Sequence, residues 1–467
     1  MMDASNFEPG PGAQVCRLPD HVSSRERHSG QSTVSLRAPR SLAETGLPAV
    51  FLARLVLKST LMHGKSDFAM LSERHRLAVS VLDDVLGFLV REHLAEITHR
   101  GASDIDVHFR LTEAGRTLAL EEMARCSYCG PAPVTFDSYK EVVRTHSVRM
   151  IRIAQADVYA AFQHILVEPA LLDAAATAVA SGRPLLLYGP AGSGKTFLAE
   201  RLGRLLRGNV PIPYAIYVGG EIVQLLDPLV HEAVPEEEEA PGNDKRWRSC
   251  RRPVVISGGE LTLDALDLRF DAAAGFYQAP PHMKANMGLY IVDDLGRQRI
   301  APKDLLNRWL MPLDRGVDQL TLQSGSRFLV PFDVWPVFSS NLDPTRLGDE
   351  AFLRRLGSKL YVGPLSLDEY RTIFDRRCAA LGLTASRIVF DYLVHHLHLP
   401  SGKPFLACYP GDLLDLVRAA THYSGASNEV TEEGLLQAWC NYFGVLPEQG
   451  SFHPPAADRP ARKLAAG

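Results

Sequence analysis

The residues with the clearest chemical potential form a glycine-rich run between an apolar segment and a helical pattern. The run reads GPAGSGKT, with PLLLY before it and FLAERLGRLL after it. Glycines let successive backbone N–H groups point at phosphate oxygens, and the positive end of the following helix adds to the attraction. In this context the pattern is a P-loop. It predicts a nucleotide-binding loop made of Gly189, Pro190, Ala191, Gly192, Ser193, Gly194, Lys195 and Thr196.

Metal and water chemistry is predicted at the end of this loop and at a second apolar segment, LYIVDD. Lys195 is expected to reach the β- and γ-phosphates, and Thr196 to bind Mg²⁺. Asp293 is expected to hold Mg²⁺ through water, and Asp294 to orient or deprotonate the attacking water. A strand that ends in two carboxylates is a weak signal alone, but its place after a P-loop favours this role over a structural one.

A third apolar segment, VWPVFSSN, ends at Asn341, and AFLRRL follows with Arg354 and Arg355. In this order the motifs resemble those of the AAA+ ATPases. The resemblance implies that Asn341 is the sensor 1 residue, which helps to position the water. It also implies that Arg354 or Arg355 is an arginine finger, which reaches the ATP of a neighbouring subunit. The alternative for each arginine is a solvated helix end or a surface ion pair, but with both present a finger role for at least one of them is favoured.

A closer resemblance extends over residues 46–446. Segments such as PPHMKANMGLYIVDDLGRQ and SSNLDPTRLGDEAFLRR are similar to those of a bacterial group of AAA+ proteins with a winged-helix domain. The segment QLTLQSGSRFLVPF predicts a β-hairpin and resembles the pre-sensor-1 insertion of the superclade that includes MoxR-type remodelling ATPases. The resemblance implies ATP and Mg²⁺ as cofactors, assembly into a hexameric ring, and chaperone-like action linked to pilus assembly or secretion.

The chain departs from these relatives at two catalytic positions. Where they have the lid arginine called sensor 2, which reports the γ-phosphate, this chain has Gly411. Arg418, two turns further along, is a candidate substitute. The acid that follows Asp293 is Asp294, whose side chain is one methylene shorter than the glutamate usual in AAA+ proteins. Both departures predict slow hydrolysis.

The residues before the P-loop predict a winged helix-turn-helix domain. Apolar positions recur at helical spacing in three segments up to Val90, and two alternating segments follow around Gly101. Residues 51–125 contain ten Lys and Arg and eleven Asp and Glu, a net charge of −1, and the third helix begins without a basic residue. Because DNA binding requires clustered cations, protein docking is favoured over DNA binding for this domain.

The predicted fold class is α/β: a P-loop AAA+ module, with a parallel sheet and an α-helical lid, preceded by the winged helix-turn-helix domain. An acidic and then basic run at 235–252 is interpreted as a solvated loop, with pairing between subunits as the alternative. The predicted boundaries are a disordered N-terminus at 1–45, the winged-helix domain at 46–125, a Pro-hinged linker and helix at 126–165, the ATPase core at 166–363, the lid at 364–446 and a disordered tail at 447–467.

Composition limits the class of protein and its compartment. The 467 residues are 46% hydrophobic and 22% charged, with a formal net charge of −4, which excludes wholesale disorder and a global attraction to nucleic acid or anionic lipid. Seven scattered cysteines favour reduced thiols in the cytoplasm, and no apolar run is long enough for membrane insertion. Metal binding by Cys126 and Cys129, or by His395, His396 and His398, is disfavoured because further ligands are missing, and the histidines are expected at a surface or helix edge.

Three functions remain open at this stage. The leading one is an ATP-hydrolysing ring that remodels or assembles a protein client, which the winged helix recruits directly or through an adaptor. The second is a transcription regulator in which ATP controls DNA binding. The third is a nucleotide-gated scaffold that binds ATP and hydrolyses it very slowly, as Gly411 and Asp294 suggest.

Overall fold

The computed structural model describes residues 36–103, 106–163, 165–235, 242–348 and 350–445. The predicted disordered tail at 447–467 and the first 35 residues of the predicted disordered N-terminus lie outside this range. Among the described residues, no helix is both long enough and apolar enough to cross a lipid bilayer.

The N-terminal part has the predicted order of three helices followed by a hairpin. Its elements are α1 (Ala49–His63), β1 (Ser66–Asp67), α2 (Phe68–His75), α3 (Val79–Arg91), β2 (Ala95–Arg100), β3 (Val107–Leu111) and α4 (Glu113–Arg125). The short strand β1 joins the hairpin, so the sheet has the order β1-β3-β2 with antiparallel pairs. Leu52, Phe68 and Phe109 are fully buried among the helices and this sheet.

The middle of the chain contains two larger sheets and the helices that cover them. The helices are α5 (Phe136–Thr145), α6 (Gln155–Phe162), α7 (Pro169–Ser181), α8 (Lys195–Leu202), α9 (Pro281–Lys284), α10 (Pro302–Arg315), α11 (Pro344–Leu347) and α12 (Glu350–Arg355). The strands are β4 (Val134–Thr135), β5 (Leu185–Tyr188), β6 (Asn209–Pro213), β7 (Ala215–Val218), β8 (Glu221–Gln224), β9 (Trp247–Arg251), β10 (Val254–Ser257), β11 (Arg269–Asp271), β12 (Phe276–Gln278), β13 (Gly288–Val292), β14 (Val317–Thr321), β15 (Arg327–Pro331), β16 (Val334–Ser340) and β17 (Ser358–Tyr361).

Five of these strands form the sheet that carries the P-loop. The order is β10-β13-β16-β5-β17, and every pair is parallel. Strands β13 and β16 are buried along their whole length, as expected for parallel strands with helices on both faces. Leu185 and Leu187 pack with α7 and α8, whereas Leu186 packs with α10 and α12, which is the alternation of a strand. The predicted α/β fold with a parallel sheet is confirmed, and so is the predicted hairpin, which is β14 with β15.

A second, mixed sheet joins the N-terminal part to the middle of the chain. Its order is β11-β12-β8-β7-β4, and most of its strands lie between α8 and β13 in the sequence. Ala215 and Ile222 of this sheet are buried in the same core as α1 and α3. The ring centroids of Phe51 on α1 and Tyr217 on β7 are 4.6 Å apart. The N-terminal helices are therefore packed on the second sheet rather than tethered to it.

The segment after α4 is not the hinge that its prolines predict. The buried ammonium of Lys58 donates to the carbonyl oxygens of Cys126 and Tyr128, at 2.8 and 2.7 Å. The N–H of Ala132 donates to the carbonyl of His75 at 2.8 Å. Since polar backbone groups in a core need partners, these bonds hold the segment against α1 and α2. Proline alone does not reveal such long-range bonds.

Residues 36–45, predicted to be disordered, are held by a buried ion pair. The guanidinium of Arg246 donates to the Asp244 carboxylate at 2.8 Å, and also to the carbonyls of Thr45 and Pro133 at 3.4 and 3.3 Å. The side chains of Arg246 and Asp244 are each 6% exposed. One arginine thus connects the start of the described chain, the segment after α4 and the second half of the 235–252 run.

The basic half of that run differs from the predicted solvated loop. It contains strand β9, which pairs antiparallel with β6. The neighbouring charges of Asp244 and Arg246 are satisfied within the chain. The acidic residues 236–239 lie outside the described residues.

The last described part is helical, as predicted for a lid. It consists of α13 (Leu367–Leu381), α14 (Arg387–Tyr392), a π-helical stretch (Leu393–His398), α15 (Leu399–Ser401), α16 (Tyr409–Ser424) and α17 (Glu432–Phe443). His395 and His396 are exposed, but the expectation that His398 also lies at a surface is wrong. Its ring is fully buried and is 2.8 Å from the Tyr370 hydroxyl, inside the aromatic core of this part.

The Arg246–Asp244 pair gives a test of this architecture. We expect Arg246→Met to lower the free energy of unfolding by about 3–5 kcal/mol, because it leaves the Asp244 carboxylate buried without its partner. The matched control is Arg251→Met, which removes an exposed pair with Glu232 and costs less than about 1 kcal/mol. Urea unfolding measures both. Equal effects of the two substitutions would contradict the structural role of Arg246.

Candidate functional site

The P-loop begins where β5 ends and leads directly into α8. Gly194 is the N-cap of this helix, and its backbone is left-handed with φ of 93°. Gly192 is also left-handed, with φ of 83°, and a Cβ there would lie 2.4 Å from the Cys408 sulfur. The loop therefore passes close to the lid, and Gly192 accepts a hydrogen bond from the Cys408 N–H at 3.1 Å. Both positions favour glycine for their backbone conformation, and Gly192 also requires it for space.

Lys195 is the buried cation of the loop. Its ammonium donates to the carbonyl oxygens of Gly189 and Pro190, at 3.1 and 2.8 Å, and to Asn341 Oδ1 at 2.8 Å. Burial lowers the pKa of Lys195, while the charges of Asp294 and Asp293 act in the opposite direction. The ammonium is thus held at the mouth of the loop by three oxygen acceptors.

Thr196 and Asp293 meet as predicted for a metal pair. The threonine hydroxyl is 2.9 Å from both carboxylate oxygens of Asp293. Ser339 on β16 also donates its hydroxyl to Asp293. Because β5, β13 and β16 end at the same edge of the parallel sheet, side chains from three distant segments converge here.

Asp294 and Asn341 form the second predicted pair. The amide nitrogen of Asn341 donates to Asp294 Oδ1 at 2.8 Å. Asp294 has a positive φ of 50°, which is uncommon for residues other than glycine, although aspartate adopts it more readily than most. Asn341 thus bonds to Lys195 through its oxygen and to Asp294 through its nitrogen, so one amide connects the P-loop cation to the second acid.

A cavity of about 880 Å³ opens beside these residues. At one end are Lys195, Asp294 and Asn341. The other end lies between the segment after α6 and the lid, and its walls are largely apolar. The apolar residues there include Ile165, Val167, Leu171, Pro364, Leu365 and Ile373. A polar end at the P-loop and an apolar end at the lid match the phosphates and the base of a nucleotide.

The donor set fits Mg²⁺ bound together with a phosphate. The hydroxyl of Thr196 and the carboxylate of Asp293 are hard oxygen ligands, and Mg²⁺ in such sites takes its remaining ligands from phosphate and water. Among the residues that the structure describes, no group of three or more His, Cys, Asp or Glu could hold a metal ion.

The hydroxyl of Ser193 in the loop is buried, and it has no hydrogen-bond partner in the described part of the chain.

The two predicted finger arginines lie outside the cavity, at the end of α12. The guanidinium of Arg355 forms an ion pair with Asp314, with two N–O distances of 2.7 Å. This is the ion pair that was the alternative to a finger role. Arg354 is exposed on the same helix.

The lid residues considered in the sequence do not reach the cavity wall. Neither Gly411 nor Arg418 lines the cavity, and Arg418 is exposed on α16. Two arginines missed by sequence reasoning do line it: Arg297, shortly after β13, and Arg376 on α13. Arg297 could have been identified from the sequence, because it lies only three residues after Asp294.

Two family models match parts of the chain. The model described as "Magnesium chelatase, subunit ChlI" matches residues 162–210, around the P-loop, and the model described as "Domain of unknown function (DUF8689)" matches residues 366–441, in the lid. Each covers less than half of the chain. No curated protein sequence is significantly similar.

Similar solved structures include NtrX from Brucella abortus in complex with ATP, at 12% identity and a TM-score of 0.36 over 71% of this chain and 65% of that chain. The chain thus spans less than two thirds of the length of NtrX. Another is the Thermotoga maritima RuvB Holliday junction branch migration motor, at 15% identity and a TM-score of 0.33 over 63% of this chain and 73% of that chain. The described chain has an α/β fold in which the P-loop follows β5, Asn341 follows the neighbouring strand β16, and a helical part follows β17.

Lys195 gives the direct test of the loop. We expect Lys195→Ala to abolish measurable ATP binding, because it removes the cation at the phosphate end of the cavity. Titration calorimetry checks the affinity, and thermal unfolding checks that the variant is folded. The matched control is Lys359→Ala on the neighbouring strand β17, which should bind ATP within about twofold of the wild type. Unchanged affinity in Lys195→Ala would contradict the assigned loop.

Proposed function

We propose that this chain is a Mg²⁺-dependent ATPase of the AAA+ type, which assembles into a ring and remodels or assembles a protein client. The observation that carries the proposal is the continuous set of contacts from Lys195 through Asn341 to Asp294, next to the Thr196–Asp293 pair. This set has a phosphate-binding cation, a metal pair and an acid in one place. Those are the parts that ATP hydrolysis needs.

In the proposed mechanism, Lys195 and the loop N–H groups bind the β- and γ-phosphates. Thr196 and Asp293 would hold Mg²⁺, which would supply charge neutralisation for the phosphates. Asp294 accepts a proton from the attacking water or orients it, and Asn341 fixes the carboxylate of Asp294. The backbone of Asp294 has a φ of 50°. Because the side chain is short, this backbone conformation sets the direction in which the carboxylate points.

Assembly into a ring is supported by the placement of Arg354. Its neighbour Arg355 is engaged by Asp314, so Arg354 is the better candidate for an arginine finger. A finger acts on the ATP of another subunit, which makes hydrolysis depend on assembly. We assign a hexamer by the resemblance to AAA+ proteins.

Binding of a protein rather than DNA is supported by the surface of the N-terminal part, which we interpret as a winged helix. The exposed side of α3, which would be the recognition helix, carries Asp83 and Asp84. Two carboxylates there repel phosphates. The hairpin β14–β15 presents Leu329, which is 52% exposed, as a further apolar contact for a client.

We place the protein in the cytoplasm. None of its described cysteines, which are Cys126, Cys129, Cys250, Cys378, Cys408 and Cys440, forms a disulfide bond. Reduced thiols are typical of that compartment.

A nucleotide-gated scaffold with very slow hydrolysis is the second candidate. It is favoured by the placement of Gly411 and Arg418, neither of which brings a lid cation to the cavity. The two candidates differ in the ratio of ATP affinity to turnover. Tight binding with turnover close to the uncatalysed rate would favour the scaffold.

The finger gives the test of shared sites. We expect turnover per chain to rise with chain concentration, and Arg354→Ala to lower turnover at least tenfold while ATP affinity stays within about twofold. A coupled phosphate-release assay measures turnover, at concentrations at which the wild type is assembled. The comparison variant is Arg355→Ala, which loses the contact with Asp314 and should lower turnover by less than about threefold. The shared site would be refuted if Arg354→Ala had wild-type turnover and if turnover per chain did not depend on chain concentration.

A further inference from the structure

The nucleotide cavity contains a cation that the sequence analysis left without a role. Arg297 lines the cavity together with Asp294 and Asn341. It lies on the turn that follows β13, and its side chain is exposed. Among the described residues, none forms an ion pair or a hydrogen bond with its guanidinium. The group is therefore available to a ligand in the cavity.

The turn that presents Arg297 is fixed by hydrogen bonds on both sides. The N–H of Leu295 donates to the Ser339 carbonyl at 2.7 Å, and the N–H of Arg297 donates to the Asp294 carbonyl at 2.9 Å. The side chain of Gln298 accepts from the Gly296 N–H at 2.8 Å and donates to the Asp293 carbonyl at 3.0 Å. These bonds fix the backbone from which the Arg297 side chain extends, so the turn itself need not be ordered on binding.

The position of Arg297 corresponds to the γ-phosphate end of the cavity. Lys195, which contacts the β- and γ-phosphates in a P-loop, is joined through Asn341 to Asp294, only three residues from Arg297. The positive charge of Arg297 also lowers the pKa of Lys195, a smaller effect than that of burial, so the two cations are close enough to interact. Two cations that repel each other are stabilised when an anion lies between them.

The lid position singled out by the sequence, Gly411, does not supply this cation. A Cβ at Gly411 would have only Arg377 Nε, at 4.0 Å, within contact distance, and Gly411 does not line the cavity. Arg376 lines the cavity from α13, one turn from Ile373, on the apolar side.

We infer that Arg297 binds the γ-phosphate of the ATP in its own subunit and supplies the charge that Gly411 does not. This inference rests on the proposed ATPase function. The planar guanidinium forms paired hydrogen bonds with phosphate oxygens, a geometry that lysine does not reproduce. Since ADP has no γ-phosphate, Arg297 makes the site prefer ATP.

The test compares the affinities of the full-length wild type and Arg297→Ala for ADP and for a non-hydrolysable ATP analogue, both with Mg²⁺, by titration calorimetry. We expect Arg297→Ala to weaken binding of the analogue at least tenfold, which is the size of a charge-assisted hydrogen bond to phosphate, and binding of ADP less than threefold. Arg297→Lys should recover part of the loss, because it keeps the charge and loses the paired geometry.

The matched control is Arg299→Ala, an exposed arginine two residues away that does not line the cavity, and it should change neither affinity by more than about twofold. An unchanged ratio of the two affinities in Arg297→Ala would overturn the inference. The inference would also be overturned if Arg376→Ala lost the preference for the ATP analogue over ADP while Arg297→Ala kept it. If the wild type binds neither nucleotide, the proposed function itself fails, which is a distinguishable result.

Discussion

The place of β5 between β16 and β17 is the constraint on which the site depends. In the parallel register, Tyr188 at the end of β5 is beside Ser340 at the end of β16, so the P-loop and Asn341 begin at the same level. On the other side, the N–H of Val362 donates to the Tyr188 carbonyl at 2.8 Å. Any Cβ at Gly189 would lie 2.2 Å from the Val362 carbonyl oxygen, so the turn into the loop requires glycine. Burial of three apolar strands thus decides where the charged groups meet.

The same sheet is connected to the N-terminal part through the strands inserted between α8 and β13. Phe51 and Tyr217 pack across this junction, and Lys58 and Arg246 bind backbone carbonyls from several segments. A buried cation that satisfies backbone oxygens is costly to separate from them, so the junction favours movement as one unit. In the proposed function, changes at the nucleotide would reach the client surface through this packing rather than through a free linker.

Sequence reasoning identified the sheet and most of the site because those features are local. A glycine-rich run, two acids after an apolar strand and Asn341 after another are each readable within ten residues, and the structure brings these three segments together. The errors concern long-range burial. Residues near Thr45 looked polar and unstructured, yet Arg246, about 200 positions away, bonds to them. His398 appeared to be one of three surface histidines because only tertiary packing against Tyr370 places it in a core.

In the proposed function, the sheet edge hydrolyses ATP and Asp294 is the acid that acts on the attacking water. Asp294→Asn keeps an oxygen that accepts the hydrogen bond from Asn341, but it removes the charge and the ability to take a proton. Steady-state hydrolysis of ATP in the presence of Mg²⁺ is the direct measurement, with ATP affinity determined on the same protein. We expect turnover to fall by about a hundredfold or more, the usual contribution of a general base, while ATP affinity stays within about threefold. Hydrolysis by Asp294→Asn at the wild-type rate would contradict this role of Asp294.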